Sequence, residues 1–222
     1  MKNYNAPENQ TTRRILPIAC GTAFVVAFTV SMSQPVHADK VTPPPVPDNI
    51  QVQEGNKAFL VGHGVGTQNY ICLPSGATTF AWTLFTPQAT LFKDNEKQVT
   101  THFFSPNPDE DGTVRATWQH SRDTSTVWAK VAEDGTSSDP EFVATDAIPW
   151  LKLEVVGTQD GPTGGHKLRK TTFIQRLNTT GGVAPSTGCT LAVDVGKRKF
   201  VPYTADYFFY KKTSKRGSDN DN

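Results

Sequence analysis

Apolar and polar side chains alternate along much of the chain between residues 57 and 210. In the run 80–85, the large apolar residues Phe80, Trp82 and Leu84 would point to one face of an extended segment. The same period of two recurs at 113–121, 151–155 and 173–177. Alternation of this kind is typical of a β-strand with one buried face. The pattern therefore predicts strands rather than helices.

Five further runs are rich in residues that favour strands, namely 57–63, 67–72, 97–104, 125–131 and 199–210. Turn-forming pairs such as Asp111-Gly112 separate the runs. No long window carries a helical apolar stripe free of glycine and proline, and at most a short helical turn fits at 142–147. Many short strands at this spacing predict an all-β fold, either an antiparallel β-sandwich or a barrel-like domain.

The N-terminal segment, residues 1–38, has the order of regions that an export signal needs. The basic pair Arg13-Arg14 precedes an uncharged run at 15–32, and small residues stand just before Asp39. We predict cleavage after Ala38 and therefore an exported chain, periplasmic or extracellular, without a permanent membrane span. An uncleaved anchor and a twin-arginine route remain alternatives.

Three segments follow the predicted signal. Residues 39–56 form a proline-rich spacer, residues 57–210 a single β domain, and residues 211–222 a charged tail that we expect to be disordered. The whole chain has 222 residues and a formal net charge of +1. Because removing residues 1–38 leaves a nearly neutral domain, the chain lacks the excess positive charge that nucleic-acid binding requires.

Two cysteines, Cys72 and Cys189, remain after the predicted signal. In an oxidising compartment an isolated pair is most simply a structural disulfide. A reactive thiol pair is disfavoured because the two residues do not have a C-x-x-C spacing.

Candidate metal ligands are His63, His102 and His120, which could also act as general bases. No two of them have a local ligand spacing, so a zinc site would have to be assembled from separate strands. Asp109 and Asp111 begin a sequence that resembles a calcium loop, but its twelfth position is Trp118 instead of a bidentate glutamate. No cofactor is predicted, and zinc and calcium are the alternatives.

The remaining motifs favour structure or binding over a known chemistry. The glycine-rich run 62–66 does not open a helix, so it indicates a bulge or a close approach of strands rather than a dinucleotide site. Among the tryptophans, Trp118 and Trp128 are candidates for a ligand-stacking surface, although filling the core is the commoner role.

Several segments together resemble the DUF3455 family of secreted bacterial and fungal proteins of unknown function. The resemblance lies in the segments 66–72, 89–92, 101–103, 116–121, 147–151, 175–185 and 201–207. It implies export and a single domain, and it places Cys72 and Cys189 inside two of the family's characteristic stretches. The family implies no mechanism.

The leading hypothesis for function is a non-catalytic exported domain that binds a small molecule, a glycan or an envelope protein. It follows from a rigid β scaffold without a complete catalytic constellation. The alternatives are a metal-dependent enzyme that uses the histidines and a structural surface protein.

Overall fold

The fold is a closed antiparallel β-barrel, seen in a computed structural model that describes residues 40–213. Each strand pairs with its neighbours in sequence, and the last strand closes the barrel against the first. The strands are β1 (Asn56–Pro74), β2 (Phe80–Phe92), β3 (Gln98–Asn107), β4 (Thr113–His120), β5 (Thr126–Ser137), β6 (Trp150–Gln159), β7 (Thr171–Gly181) and β8 (Arg198–Lys212). The all-β prediction is confirmed, and the structure is a barrel rather than a sandwich.

Large apolar side chains occupy both faces of β8. Tyr207 and Phe209 belong to the apolar core inside the barrel, whereas Phe208 and Tyr210 lie on the outer face in a second apolar cluster. All four side chains are buried. Successive residues of a strand point to opposite sides, so β8 must be covered both inside and outside.

The N-terminal segment 40–52 provides the outer cover. Ile50 is fully buried in the outer cluster, and its carbonyl oxygen accepts a hydrogen bond from Gln175 Nε2 at 2.7 Å. Lys152 Nζ donates to the carbonyl oxygens of Asn49 and Gln51. The sequence predicts a spacer at 39–56, whereas in the structure the described part of this segment packs against the barrel. We call residues 40–52 the strap.

Glycines in β1 explain why one strand runs through the predicted gap between 57–63 and 67–72. A Cβ atom at Gly64 would lie 2.9 Å from the Tyr207 ring, and one at Gly66 would lie 2.1 Å from the Gln88 carbonyl oxygen. The register shifts of β1 occur elsewhere, at Ala58/Leu60 and at Asn69/Tyr70. The glycine run is therefore a close approach of strands.

The two ends of the barrel differ. We call the end with the β1–β2, β3–β4, β5–β6 and β7–β8 loops the mouth, and the opposite end the base. At the base, Leu168 of the β6–β7 loop is fully buried in the inner core, and its N–H donates to Ser125 Oγ. Burial raises the pKa of Asp123, but hydrogen bonds from Ser125 and Lys167 outweigh it and lower this pKa to about 2. The base is thus closed by a well-anchored loop.

The disulfide Cys72–Cys189 joins the mouth end of β1 to the β7–β8 loop, with the two Cα atoms 5.5 Å apart. Backbone hydrogen bonds between Cys72 and residues Gly196 and Lys197 hold the same loop. The predicted bridge is confirmed.

In the described part of the chain, helical structure is confined to three short 3-10 turns, Asp48–Ile50, Pro108–Glu110 and Ala192–Asp194. The helical turn expected at 142–147 is a hydrogen-bonded turn in which Val143 N donates to Asp139 O. Within residues 40–213, no helix has the length and apolar character needed to cross a bilayer. The predicted export signal (1–38) lies outside the described residues, as do 214–222 of the predicted tail, whereas Lys211 and Lys212 continue β8.

Candidate functional site

A cavity of about 220 Å³ lies inside the barrel on its mouth side. Its wall is mostly apolar, with Leu84, Phe104 and Leu153 among the lining residues. Leu84 and Val131 line the cavity and are also exposed to solvent, at 36% and 44%. Leu168 closes the base, and these two exposed lining residues lie on the mouth side. The cavity therefore opens at the mouth.

Strand register brings a small set of polar side chains onto this apolar wall. His102 of β3 is directly opposite Trp118 of β4, and Arg176 of β7 is opposite Tyr207 of β8. The His102 and Trp118 rings stack at 4.2 Å between centroids and 9° between planes. The Tyr207 ring lies 5.2 Å from His102 and 5.6 Å from Trp118, and Gln68 of β1 completes the set.

His102 is neutral at physiological pH. Complete burial lowers the pKa of its imidazole to about 3. Its Nδ1 lies 2.9 Å from the Thr117 carbonyl oxygen, which can only accept, so Nδ1 carries the proton and donates it. Nε2 is therefore the hydrogen-bond acceptor of this ring.

The buried tyrosines of the interior are also neutral. Burial raises the pKa of Tyr203 and of Tyr207 above the ordinary range of a phenol. Their hydroxyl oxygens lie 3.0 Å apart. Both groups therefore keep their protons and offer O–H dipoles to the interior.

Arg176 is the one charged side chain on the cavity wall, and it is partly buried. Its Nε and Nη2 both donate to the Pro149 carbonyl oxygen, at 3.2 and 2.8 Å. None of the ion pairs formed within residues 40–213 includes this guanidinium. With His102 and the tyrosines neutral, the cavity carries one positive charge.

Two further donors belong to residues that line the cavity, but the donor atoms themselves are enclosed. Gln68 Nε2 and Trp118 Nε1 are buried, and neither has a hydrogen-bond partner within the part of the chain that the structure describes. Buried polar groups of this kind are costly unless a ligand or a water molecule satisfies them.

The structure does not bring the three predicted histidines together. His63 Nδ1 lies 2.6 Å from Asp206 Oδ1 and its Nε2 lies 2.9 Å from Asp94 Oδ1. His120 Nδ1 accepts hydrogen bonds from backbone N–H groups at 122 and 123, and burial lowers its pKa. Across residues 40–213, no group of three histidine, cysteine or acidic side chains is arranged to hold a metal ion.

The other predicted site residues lie away from the cavity wall. Asp109 N–H donates to Asn107 Oδ1, and Asp111 ends the 3-10 turn with φ of 50°. Trp128 is only 5% exposed, and its Nε1 donates to Ser105 Oγ at 2.9 Å. Of the residues proposed from sequence, His102 and Trp118 line the cavity.

Sequence reasoning missed Arg176, Gln68 and Tyr207. A signal for Arg176 was present in the alternation of β7. The pattern groups Phe173, Gln175 and Leu177 on one face, and Ile174 and Arg176 occupy the other, inward face. A charged residue at an inward position of a strand is unusual and indicates a functional role.

These features define a small closed β-barrel with a sealed base and an interior cavity that opens at the mouth. The chain belongs to the family described as "Protein of unknown function (DUF3455)", whose model matches residues 53–211 and so spans all but the last residue of the barrel. None of the curated proteins matches this chain. No solved structure matches it either.

Proposed function

We propose that the barrel is a non-catalytic binding protein for a small organic anion, held in the interior cavity. The ligand would combine a compact apolar body with a carboxylate or similar anionic group. The observation that carries this proposal is Arg176, a partly buried cation on the cavity wall without an acidic partner within residues 40–213.

The charge of the cavity supports an anion. A guanidinium that is withdrawn from water is costly unless it is paired. Arginine binds carboxylates through two parallel N–H donors, and Arg176 has further N–H groups beyond the two that reach Pro149. An anionic group would pair with this guanidinium, whereas a cation would be repelled.

The dimensions of the cavity support a compact ligand. An apolar cavity of about 150 Å³ accommodates a benzene molecule. The 220 Å³ cavity therefore has room for one ring and a short acidic substituent. The stacked pair of His102 and Trp118 offers a flat wall to such a ring.

The chemistry of His102 favours binding over catalysis. A general base is most effective when its pKa lies near the working pH, and the pKa of His102 is about 3. A metal-dependent enzyme would need several of the histidines around one ion, whereas His63, His102 and His120 have separate partners. The disulfide is compatible with our further proposal that the chain acts in an oxidising compartment, at the cell envelope or outside it.

The test is calorimetric titration with benzoate, phenylacetate and cinnamate, each compared with its uncharged amide. We expect the full chain to bind at least one carboxylate at least tenfold more tightly than the matching amide. Arg176→Gln should weaken this binding at least tenfold, because the charge-assisted hydrogen bonds are lost. Arg169→Gln is the matched control, since Arg169 pairs with Asp160 at the base. Equal affinities for acid and amide, or unchanged binding by Arg176→Gln, would refute the proposal.

A further inference from the structure

Exposed apolar side chains are concentrated at the mouth. Nine of the ten large apolar residues that are exposed within residues 40–213 lie in mouth loops or in the adjoining parts of the strands, and Val65 is the exception. The nine are Leu84, Phe85, Val114, Val131, Val183, Leu191, Val193, Val195 and Phe200. A concentration of exposed apolar side chains at one end of a barrel points to an interaction surface there.

The most exposed members form a smaller group on the side of β8, β1 and β2. Leu191 and Val193 are 61% and 74% exposed in the β7–β8 loop, and Phe200, the third residue of β8, is 60% exposed. Phe85 faces the same side, because the Arg198 guanidinium lies 5.7 Å from its ring. We call Phe85, Leu191, Val193, Val195 and Phe200 the apolar face.

The charges around the apolar face are basic. Between Gly64 and Phe92 there is no charged residue, so the β1–β2 hairpin that borders this face is neutral. In the β7–β8 loop the acidic residue is Asp194, and Lys197 Nζ pairs with it at 2.6 Å. Arg198 and Lys199 follow immediately and take part in no ion pair within residues 40–213.

The loop that displays these residues is anchored at several points. The disulfide fixes Cys189, Trp82 Nε1 donates to the Thr187 carbonyl oxygen, and Asp194 accepts hydrogen bonds from the backbone of Thr190 and Leu191. These anchors fix the conformation in which Leu191 and Val193 are exposed to solvent.

We propose that the apolar face docks the barrel on an anionic lipid surface. Leu191, Val193 and Val195 would enter the boundary between headgroups and acyl chains, and Arg198 and Lys199 would lie among the lipid phosphates. Burial of apolar side chains and electrostatic attraction of basic residues to anionic lipids both favour binding to such an interface. A second copy of the chain fits less well, because apposing two apolar faces would bring their unpaired basic residues together.

Acidic loops on the far side of the mouth set the direction of approach. Asp109, Asp111, Glu133 and Asp134 belong to the β3–β4 loop and to β5. An anionic surface repels these groups. The barrel would therefore meet the bilayer tilted, with the β7–β8 loop and the β1–β2 hairpin leading and the acidic loops away from the lipid.

Tryptophan quenching by brominated lipids tests the docking on the full chain. Residues 1–38 contain no tryptophan, so the fluorescence comes from the barrel. The exposed fractions of Trp118, Trp128 and Trp150 are at most 5%, whereas Trp82 lies beside the β7–β8 loop. We expect vesicles of dibrominated phosphatidylglycerol to quench the fluorescence, and Trp82→Phe to lose most of that quenching. Dibrominated phosphatidylcholine should quench at least fivefold less, and Arg198→Gln/Lys199→Gln should remove this preference.

The matched variants distinguish binding through the apolar face from nonspecific adsorption to lipid. The double variant Leu191→Ser/Val193→Ser should require at least fivefold more lipid for half-maximal quenching. Val65 is the exposed apolar residue outside the mouth, and Val65→Ser should require the same amount of lipid as the parent chain. Thermal unfolding of each variant checks that it is folded. Unchanged quenching of Leu191→Ser/Val193→Ser would overturn the proposal. So would concentration-dependent dimerisation that the same double substitution abolishes in the absence of lipid.

Discussion

At the scale of single residues, His63 and His102 carry the same side chain in opposite electrostatic settings. His102 is enclosed among aromatic rings, and burial lowers its pKa to about 3. Burial also lowers the pKa of His63, but hydrogen bonds and charge from Asp206 and Asp94 outweigh it, so the net shift is upward from 6.5. His102 is thus a neutral member of the cavity wall, whereas the carboxylates of Asp206 and Asp94 favour the protonated form of His63.

His63 should make the stability of the barrel depend on pH. Because its pKa is higher in the folded state, the stabilisation is fully present below the unfolded value of about 6.5 and is lost as pH rises through the folded pKa. We expect His63→Gln to flatten the fall in the free energy of unfolding above pH 6.5. The effect should stay below about 1 kcal/mol, since the pair is partly exposed. Urea unfolding at several pH values measures it.

His166→Gln is the control for this experiment, because His166 is exposed in the β6–β7 loop and contacts a backbone oxygen instead of a carboxylate. Its pH profile should match that of the parent chain. A profile of His63→Gln that still falls between the same pH values would show that other groups carry the dependence.

Part of the candidate site could be predicted from single residues. Alternation placed His120 and Trp118 on one face of a strand, and both are buried in the structure. The convergence of His102, Arg176 and Tyr207 could not be predicted, because β3 approaches β7 and β8 across the interior only when the barrel closes through the pairing of β1 with β8. Neither Arg176 nor Gln68 belongs to a recognisable motif, so only their inward positions single them out.

At the scale of elements, local patterning predicted the strands well and their continuity less well. The eight strands correspond to the predicted runs, except that 57–63 and 67–72 are parts of one strand. Glycine disfavours strands in general, which is why the sequence suggests an interruption. In β1 the glycines are required because neighbouring strands lie where Cβ atoms would be. Barrel closure was also beyond local patterning, since it rests on the pairing of β1 with β8.

Alanine substitutions in β1 should reveal this close approach. A Cβ atom at Gly66 would lie 2.1 Å from the Gln88 carbonyl oxygen and 2.5 Å from Ala89 Cα, and both are backbone atoms that cannot move alone. At Gly62 the nearest atoms belong to the Leu91 side chain, at 3.0 Å or more. We expect Gly66→Ala to lower the free energy of unfolding by about 3 kcal/mol and Gly62→Ala by about 1 kcal/mol. Chemical denaturation compares the two, and equal losses would contradict the backbone clash.

At the scale of the whole molecule, the barrel has three distinct regions outside its inner core. The base is sealed by the β6–β7 loop, the mouth is open and carries most of the exposed large apolar side chains described, and the strap covers the outer face of β8. This division explains how one small domain can have a packed inner core near its base and an accessible cavity at its mouth. It also means that the structural unit begins before β1, in a segment whose prolines suggested only a spacer.

The strap can be tested as an integral part of the fold. Ile50 is fully buried among Leu177, Phe208 and Tyr210, so truncating it leaves a void in the outer cluster. We expect Ile50→Ala to lower the free energy of unfolding by about 2–5 kcal/mol, the usual range for a buried isoleucine. Val65→Ala, at a position that is 57% exposed, should change it by less than about 0.5 kcal/mol. If urea unfolding gave the same midpoint for Ile50→Ala and the parent chain, the segment would act as the detached spacer that its composition suggests. A large loss would instead place the beginning of the cooperative domain at the strap, because a residue outside every strand would then contribute as much as a core position.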